Sequence, residues 1–291
     1  MRVYGIILLA YLPPALAHVG SDPVLPGWTF DGWVVGPLLV AAAWYAAGWA
    51  RVRRRARDGG SPLGAKWFVA GWLVLAGAVL SPLHEAGERS FAAHMLEHEL
   101  LMLVAAPLLV LSRPVGVALW ALPHAGRLAV ARLGHRRTVS TVWQTLTAPL
   151  VATGLQAAAL WLWHAPVLFD AALENPGWHI AQHLTFLVTA LLFWWSVLHA
   201  PGRRVGLAVG CLFFTSLISG ALGALMALSQ SPWYAGYADL GMDAFGLRPA
   251  EDQQLAGLLM WVPGGLLHAL AGLTLLWRSL ERPVADLERV Q

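Results

Sequence analysis

Two short histidine motifs offer the clearest chemistry in this chain of 291 residues. One motif contains His94 and His98, and the other contains His179 and His183. In a helix, residues four positions apart share one face and lie about 6 Å apart along the axis. Imidazole nitrogen suits copper, zinc and haem iron. Each pair can therefore chelate one metal ion, or one histidine from each motif can bind a shared ion or haem.

Further potential ligands surround the two motifs. Glu97 and Gln182 lie one residue before the second histidine of each pair, where they can hydrogen-bond a ligand imidazole or join the metal shell. His164 and His84 close neighbouring apolar stretches and are the next candidate ligands. Met95 offers a thioether, a donor that favours Cu(I). A single cysteine excludes a disulfide framework and any CxxC metal or redox motif.

The composition indicates that a lipid bilayer surrounds the elements that carry these residues. Hydrophobic residues make up 58% of the chain, charged residues 12%, and the mean hydropathy is +0.60. A soluble domain has about 25% charged residues. This composition excludes a disordered chain, an ordinary soluble enzyme and a protein whose main partner is nucleic acid.

Seven apolar stretches are long enough to cross a bilayer, which takes about 20 helical residues. They predict an all-α integral membrane protein, a bundle of seven transmembrane helices within residues 32–280. The predicted spans are 32–50, 66–83, 91–112, 142–163, 179–198, 205–229 and 253–277.

The distribution of arginine predicts the orientation of the bundle. Arg-rich stretches lie at 51–57, 113–137, 203–204 and 278–289, between or after alternate spans. The positive-inside rule therefore places these segments and the 281–291 tail in the cytoplasm, and the N-terminus outside. The 113–140 segment is expected along the inner membrane surface. The orientation of the chain in the membrane then accounts for the formal net charge of +3, and no nucleic-acid partner is needed to explain it.

The N-terminus has the pattern of a secretory signal. Arg2 precedes a short apolar run, and an Ala-Leu-Ala sequence at 15–17 resembles a cleavage site. We expect residues 1–17 to be removed, leaving 18–31 as an outer segment that begins at His18. An uncleaved anchor is the alternative.

The predicted topology collects histidine and acidic residues at the outer side of the membrane. His94 is expected about one turn inside the outer boundary and His98 about two turns. An ionisable residue at such depth in the membrane costs free energy, so its presence there indicates a functional site. Asp170 and Asp252 are predicted to orient or admit a cation. The alternative is that the histidines lie at the interface, hydrated or paired with Glu97.

Four sequence blocks resemble a known family, the caa3-type cytochrome c oxidase assembly factors called CtaG. The first is His94-Met-Leu-Glu-His98 with the apolar run that follows, and the second is Trp163-His164-Ala-Pro-Val-Leu-Phe-Asp170. The third runs from Trp178-His179 through His183-Leu-Thr-Phe to Phe-Trp-Trp at 193–195, and the last from Asp252-Gln-Gln to Pro-Gly-Gly at 263–265. Together they cover roughly residues 30 to 280.

The resemblance implies a multi-pass protein of the bacterial plasma membrane that is needed to mature haem–copper oxidase. It implies copper handling on the outer side, a non-catalytic role, and cytochrome c oxidase subunits as partners, with a periplasmic copper donor as a further possibility. The family pattern often has an apolar residue at the position of Glu99. That carboxylate either changes the metal preference or faces solvent.

The residues leave three alternatives to a copper-binding assembly factor. Histidines on facing helices also suit bis-histidine haem ligation. His268 would either ligate a haem toward the cytoplasmic side or hydrogen-bond a neighbouring helix. The sequence His94-x-x-Glu97-His98 formally matches an inverted zincin motif, in which the glutamate is a general base. A metal-free scaffold would hold oxidase subunits together without using the histidines.

Overall fold

The computed structural model describes residues 26–55, 64–200, 204–242 and 245–288. Every regular element within these ranges is a helix. The signal peptide predicted over 1–17, its cleavage site and His18 lie outside the described residues. Residues 281–288 of the predicted cytoplasmic tail continue the last helix.

Fourteen α-helices and one π-helix make up the described part of the chain. In chain order they are α1 (Gly32–Arg55), α2 (Gly64–Leu80), α3 (Pro82–Gly87), α4 (Phe91–Glu99), the π-helix (Leu100–Ala105), α5 (Ala106–Leu111), α6 (Pro114–Leu119), α7 (His124–Gly134), α8 (Arg137–Leu146), α9 (Pro149–Trp163), α10 (Pro166–Glu174), α11 (Pro176–Leu198), α12 (Val205–Leu228), α13 (Ala235–Leu240) and α14 (Pro249–Glu288).

Several of these helices can cross a membrane, and the chain is a multi-pass membrane protein. Five described stretches have the required length and hydropathy: Gly32–Arg55, Phe91–Leu111, Pro176–Leu198, Val205–Leu228 and Pro249–Glu281. The α8–α9 pair makes a sixth if it is one span, and α2 is a shorter apolar helix at the position of the predicted second span. The all-helical membrane fold is confirmed, whereas the count of seven and the orientation stay predictions.

The span predicted over 142–163 is not a single helix. Its two parts, α8 and α9, meet at an angle of 63°. The break falls at Ala148, whose backbone is extended, directly before Pro149. Proline disfavours helical geometry in the residue before it and cannot donate a backbone hydrogen bond. Because the residues on both sides of the break are apolar, the hydropathy pattern predicted one continuous span.

The third crossing stretch, Phe91–Leu111, contains the π-helix between α4 and α5. The π-helix ends two residues before Pro107, whose missing N–H interrupts the regular pattern of α-helical hydrogen bonds. Such wide turns are frequent at functional sites. Here the wide turn begins at Leu100, two residues after His98.

Close packing of α12 on α14 holds the last two long helices together. A Cβ atom added to Gly223 would lie 2.7 Å from the carbonyl oxygen of Gly257, and one added to Gly257 would lie 2.4 Å from that of Gly223. Small residues allow this approach of two backbones in a membrane. Cys211 on α12 is buried in the same core.

Candidate metal site

Two helices and one short turn of helix bring the predicted histidines together. His94 and His98 lie on α4, His179 and His183 on α11, and His84 on α3. The α3 helix packs against α4. A Cβ atom added to Gly87, the last residue of α3, would lie 3.2 Å from the Cα of His94. A side chain at this position would push the first turn of α4 away by a few tenths of an ångström, so glycine favours the close approach of α3.

Within each pair, the two imidazoles point at each other. His94 Nε2 lies 3.1 Å from His98 Nε2, and His179 Nε2 lies 3.2 Å from His183 Nε2. Two nitrogen ligands on one tetrahedral ion, each at about 2.0 Å, are separated by about 3.3 Å. The spacing of four residues therefore produces the separation that a chelating pair needs.

The two pairs also contact each other across the helix interface. The rings of His98 and His183 lie 4.9 Å apart and those of His94 and His179 5.3 Å apart, between ring centroids. His84 stacks on His179 with the same centroid separation, 5.3 Å. The five side chains form one continuous group, which we call the histidine cluster.

Two overlapping triplets within the histidine cluster could each hold a metal ion. One contains His84, His179 and His183, and the other His94, His98 and His183, with the ligand atoms of each triplet within 4.8 Å of one another. The first triplet is partly exposed, whereas His94 and His98 are buried. We call the first the outer triplet and the second the inner triplet. His183 belongs to both.

Glu97 of α4 connects His84 of α3 with His183 of α11. Its Oε1 atom accepts a hydrogen bond from His84 Nδ1 at 2.9 Å and lies 3.6 Å from His183 Nδ1. Burial alone would lower the pKa of His84, but the hydrogen bond to Glu97 and the charges of Glu97 and Glu88 outweigh it and raise the pKa. The carboxylate thus holds the Nδ1 proton of His84 toward Glu97, so Nε2 is the nitrogen that can bind an ion when the ring is neutral.

Tyr237 fixes the tautomer of His94, and sequence reasoning missed it. Its hydroxyl donates its one proton to the carbonyl oxygen of Gly87 at 2.5 Å, so it accepts from His94 Nδ1 at 3.0 Å. Burial and the charges of Asp252 and Glu97 raise the pKa of Tyr237 well above its ordinary value. The phenol therefore stays protonated, and His94 Nε2 is left bare.

His164 lies at the edge of the cluster and outside both triplets. Its Nδ1 atom donates to the carbonyl oxygen of Leu160 at 2.7 Å, and its Nε2 atom lies 3.3 Å from the Sδ atom of Met95. Burial lowers the pKa of His164 to about 4, against the opposing effect of the Leu160 hydrogen bond. His164 and Met95 therefore present a neutral nitrogen and a thioether side by side. The ring centroids of His164 and His98 lie 6.5 Å apart.

The remaining predicted residues have different surroundings. Gln182 is fully buried, and neither atom of its amide has a hydrogen-bond partner among the described residues. Asp252 accepts hydrogen bonds at the start of α4, from the Ser90 hydroxyl and the backbone amides of Phe91 and Ala92. Asp170 lies against α13, 3.5 Å from the amide of Gly236, and joins neither triplet.

Glu99 and His268 line a separate cavity deeper in the bundle. The side chain of Glu99 is buried, so the expectation that it faces solvent is wrong, and it belongs to neither triplet. His268 donates to the carbonyl oxygen of Gly264 in its own helix at 2.8 Å and stacks on Trp194. The sequence alternative had His268 hydrogen-bonding a neighbouring helix; in the structure the hydrogen bond of its Nδ1 atom lies within α14, and its contact with the neighbouring α11 is the stack on Trp194.

The fold and the site define a multi-pass membrane protein with a partly buried histidine cluster whose geometry could hold a metal ion. The sequence matches the cytochrome c oxidase caa3 assembly factor family over residues 43–282, which is most of the chain. The chain therefore belongs to the cytochrome c oxidase caa3 assembly factor family, as the resemblance of its motifs implied.

Similar proteins occur in mycobacteria. An uncharacterised protein of Mycobacterium bovis and one of Mycobacterium tuberculosis are each 29% identical over 95% of this chain. An uncharacterised protein of Mycobacterium leprae is 28% identical over 80% of it. The chain matches about 42% of the length of the first two relatives and 36% of the third. No solved structure is significantly similar to the chain.

Proposed function

We propose that this protein is a copper-binding assembly factor for haem–copper cytochrome c oxidase in the bacterial plasma membrane. It holds copper in the histidine cluster at the outer side of the bundle and delivers it to oxidase subunits. The observation that carries the proposal is the pair of overlapping triplets that share His183. Membership in the assembly factor family supports the assignment of the oxidase as partner.

The donor atoms of the cluster fit copper. Imidazole nitrogens bind copper well, and Met95 beside His164 adds a soft thioether suited to Cu(I). Four buried polar atoms at or next to the cluster have no partner among the described residues: Glu97 Oε2, His98 Nδ1 and both amide atoms of Gln182. An unpaired buried polar atom costs about 1–3 kcal/mol. Such a cost is expected where side chains are arranged for a ligand.

The two triplets supply a loading position and a holding position for one ion. A neutral imidazole has a single bare nitrogen, so His183 can serve only one triplet at a time. Copper would first meet the partly exposed outer triplet and then move to the buried inner triplet, with His183 bound throughout. Occupancy of about one copper per chain follows from the same limit.

The geometry favours this function over haem binding and metalloprotease chemistry. A haem between two axial histidines needs both imidazoles to point at its iron from opposite faces. Instead, the rings of His94 and His179 are stacked with their centroids 5.3 Å apart, so no space is left between them for a haem macrocycle. Glu97 would be the general base in the zincin alternative, but its Oε1 atom already accepts a hydrogen bond from His84 Nδ1.

Elemental analysis of the detergent-purified protein, with an absorption spectrum, tests the proposal. After copper loading we expect about one copper per chain and no Soret band. The His94→Ala/His98→Ala variant should retain much less of that copper through a chelator wash, because the inner triplet keeps only one ligand and only the partly exposed outer triplet is still complete. The matched control is His124→Ala/His135→Ala, which removes two exposed histidines of the α7 region. Equal copper in the two variants would contradict the proposal, and a Soret band would favour haem.

Replacing Tyr237 with phenylalanine should weaken copper binding while the fold persists. Without the hydroxyl, His94 Nδ1 loses its acceptor and the ring is no longer held with Nε2 toward His98. Loss of such an outer hydrogen bond typically weakens metal binding by about 10- to 100-fold. Competition against a copper chelator measures the change. Tyr234→Phe is the control, because that hydroxyl donates to the carbonyl oxygen of His164 at 3.0 Å and contacts no cluster ring. Equal affinity in both variants would rule out this role for Tyr237.

A further inference from the structure

A cavity lined mainly by arginine lies at the C-terminal end of α1. Four arginines, one indole and one imidazole surround a cavity of about 320 Å³ between the last turns of α1 and the start of α7. They are Arg51, Arg54, Arg55, Arg127, Trp120 and His124. No described residue of the histidine cluster lines this cavity.

Contacts with the segment between α6 and α7 fix three of the guanidinium groups. Arg51 donates from Nη1 to the carbonyl oxygens of Trp120, at 3.1 Å, and Ala121. The guanidinium carbons of Arg127 and Arg55 lie 4.3 Å and 5.3 Å from the ring centroid of Trp120. Arginine stacked on an indole in this way keeps its planar set of donors oriented.

The positive charge of this cavity has no counterpart in the described part of the chain. None of the four arginines forms an ion pair with a described carboxylate. The Nε atom of Arg127 is buried and has no hydrogen-bond partner among the described residues. Like charges gathered in one concavity repel each other, and a bound anion would relieve that repulsion. Guanidinium groups bind phosphate oxygens with paired hydrogen bonds.

We propose that this cavity binds the phosphate group of an anionic phospholipid from the adjacent leaflet. The cavity lies at the end of a membrane-crossing helix, so its mouth is at the level of lipid headgroups. Leu39, Val40 and Trp44 are exposed on α1, and Val115 is exposed on α6, which packs against it. These apolar side chains offer a surface for the acyl chains that a free phosphate ion would not use. Basic pockets beside membrane helices bind such headgroups.

Native mass spectrometry of the detergent-solubilised chain tests this assignment. The protein is mixed with equal amounts of phosphatidylglycerol and phosphatidylcholine, and the lipid retained per chain is counted. We expect wild type to retain phosphatidylglycerol and Arg55→Gln/Arg127→Gln to retain it about tenfold less, as expected for the loss of charge-assisted hydrogen bonds. Arg53→Gln/Arg132→Gln is the matched control, because it removes two arginines from the same two helices outside the cavity.

Two further measurements distinguish a bound phospholipid from a free anion and from nonspecific attraction by positive charge. Arg55→Lys/Arg127→Lys keeps both charges but loses the paired donors, so its retention should fall between those of wild type and the glutamine variant. Equal retention by the cavity variant and the control would overturn the proposal. Complete displacement of the lipid from wild type by millimolar inorganic phosphate would also overturn it, in favour of a free anion. A gel-filtration profile like that of wild type in all arginine variants verifies that each one is folded.

Discussion

Replacing His183 with alanine is expected to have the largest effect on copper binding of any single substitution. Both triplets use this imidazole, so its loss leaves His84 with His179 and His94 with His98, two ligands in each position. Two-ligand sites bind far more weakly than three-ligand sites because every missing nitrogen is a lost metal–ligand bond. Copper retained after gel filtration should fall from about one per chain to background.

His84→Ala provides the contrast that gives the His183 result its meaning. This substitution removes one ligand from the outer triplet and leaves the inner triplet complete. At equilibrium we expect near wild-type copper, but loading from a dilute copper solution should be slower, because the partly exposed position has lost a ligand. Rapid mixing with a chelator-buffered copper solution measures the rate. Equal equilibrium copper in the His183→Ala and His84→Ala variants would contradict the shared-ligand arrangement.

The helical spacing of the histidines made the two pairs of this cluster predictable. Residues four apart on a helix meet on one face whatever the rest of the fold does, so His94 with His98, and His179 with His183, follow from the sequence. The predicted topology also placed both pairs near the same membrane face. It did not indicate which of their atoms would be in contact.

The places of His84 and of Tyr237, which contacts the cluster, depend on contacts between distant segments. Tyr237 reaches His94 across 143 positions in the chain, from a short helix between two long ones. Its neighbours in sequence have no periodic pattern that would place it. His84 joins the outer triplet because the chain turns back after α2 into a short helix, whereas the hydropathy pattern had made His84 the end of a longer span. Local pattern cannot fix such contacts, because packing between helices decides them.

Asp252→Ala is expected to be among the most destabilising single changes in the chain. The carboxylate is buried and accepts from the Ser90 hydroxyl at 2.9 Å and from the amides of Phe91 and Ala92 at 2.6 Å and 3.0 Å. These amides belong to the first turn of α4, which has no earlier helical carbonyl to pair with. Removing the acceptor leaves buried donors unpaired, a cost of about 3 kcal/mol. Thermal unfolding in detergent should show a clearly lowered midpoint.

Glu251→Ala is the matched control, because this adjacent carboxylate is exposed and pairs only with Arg248 in the described contacts. Its unfolding midpoint should stay close to that of wild type, since exposed ion pairs contribute little. Asp252→Asn should fall between the two, because the amide keeps one acceptor oxygen but presents N–H groups to other N–H groups. If Asp252→Ala instead unfolds like the control, the cap does not hold α4 in place. In that case the position of His94 would have to depend on Tyr237 and Gly87 alone, and Tyr237→Phe should then lower the unfolding midpoint as well as the copper affinity.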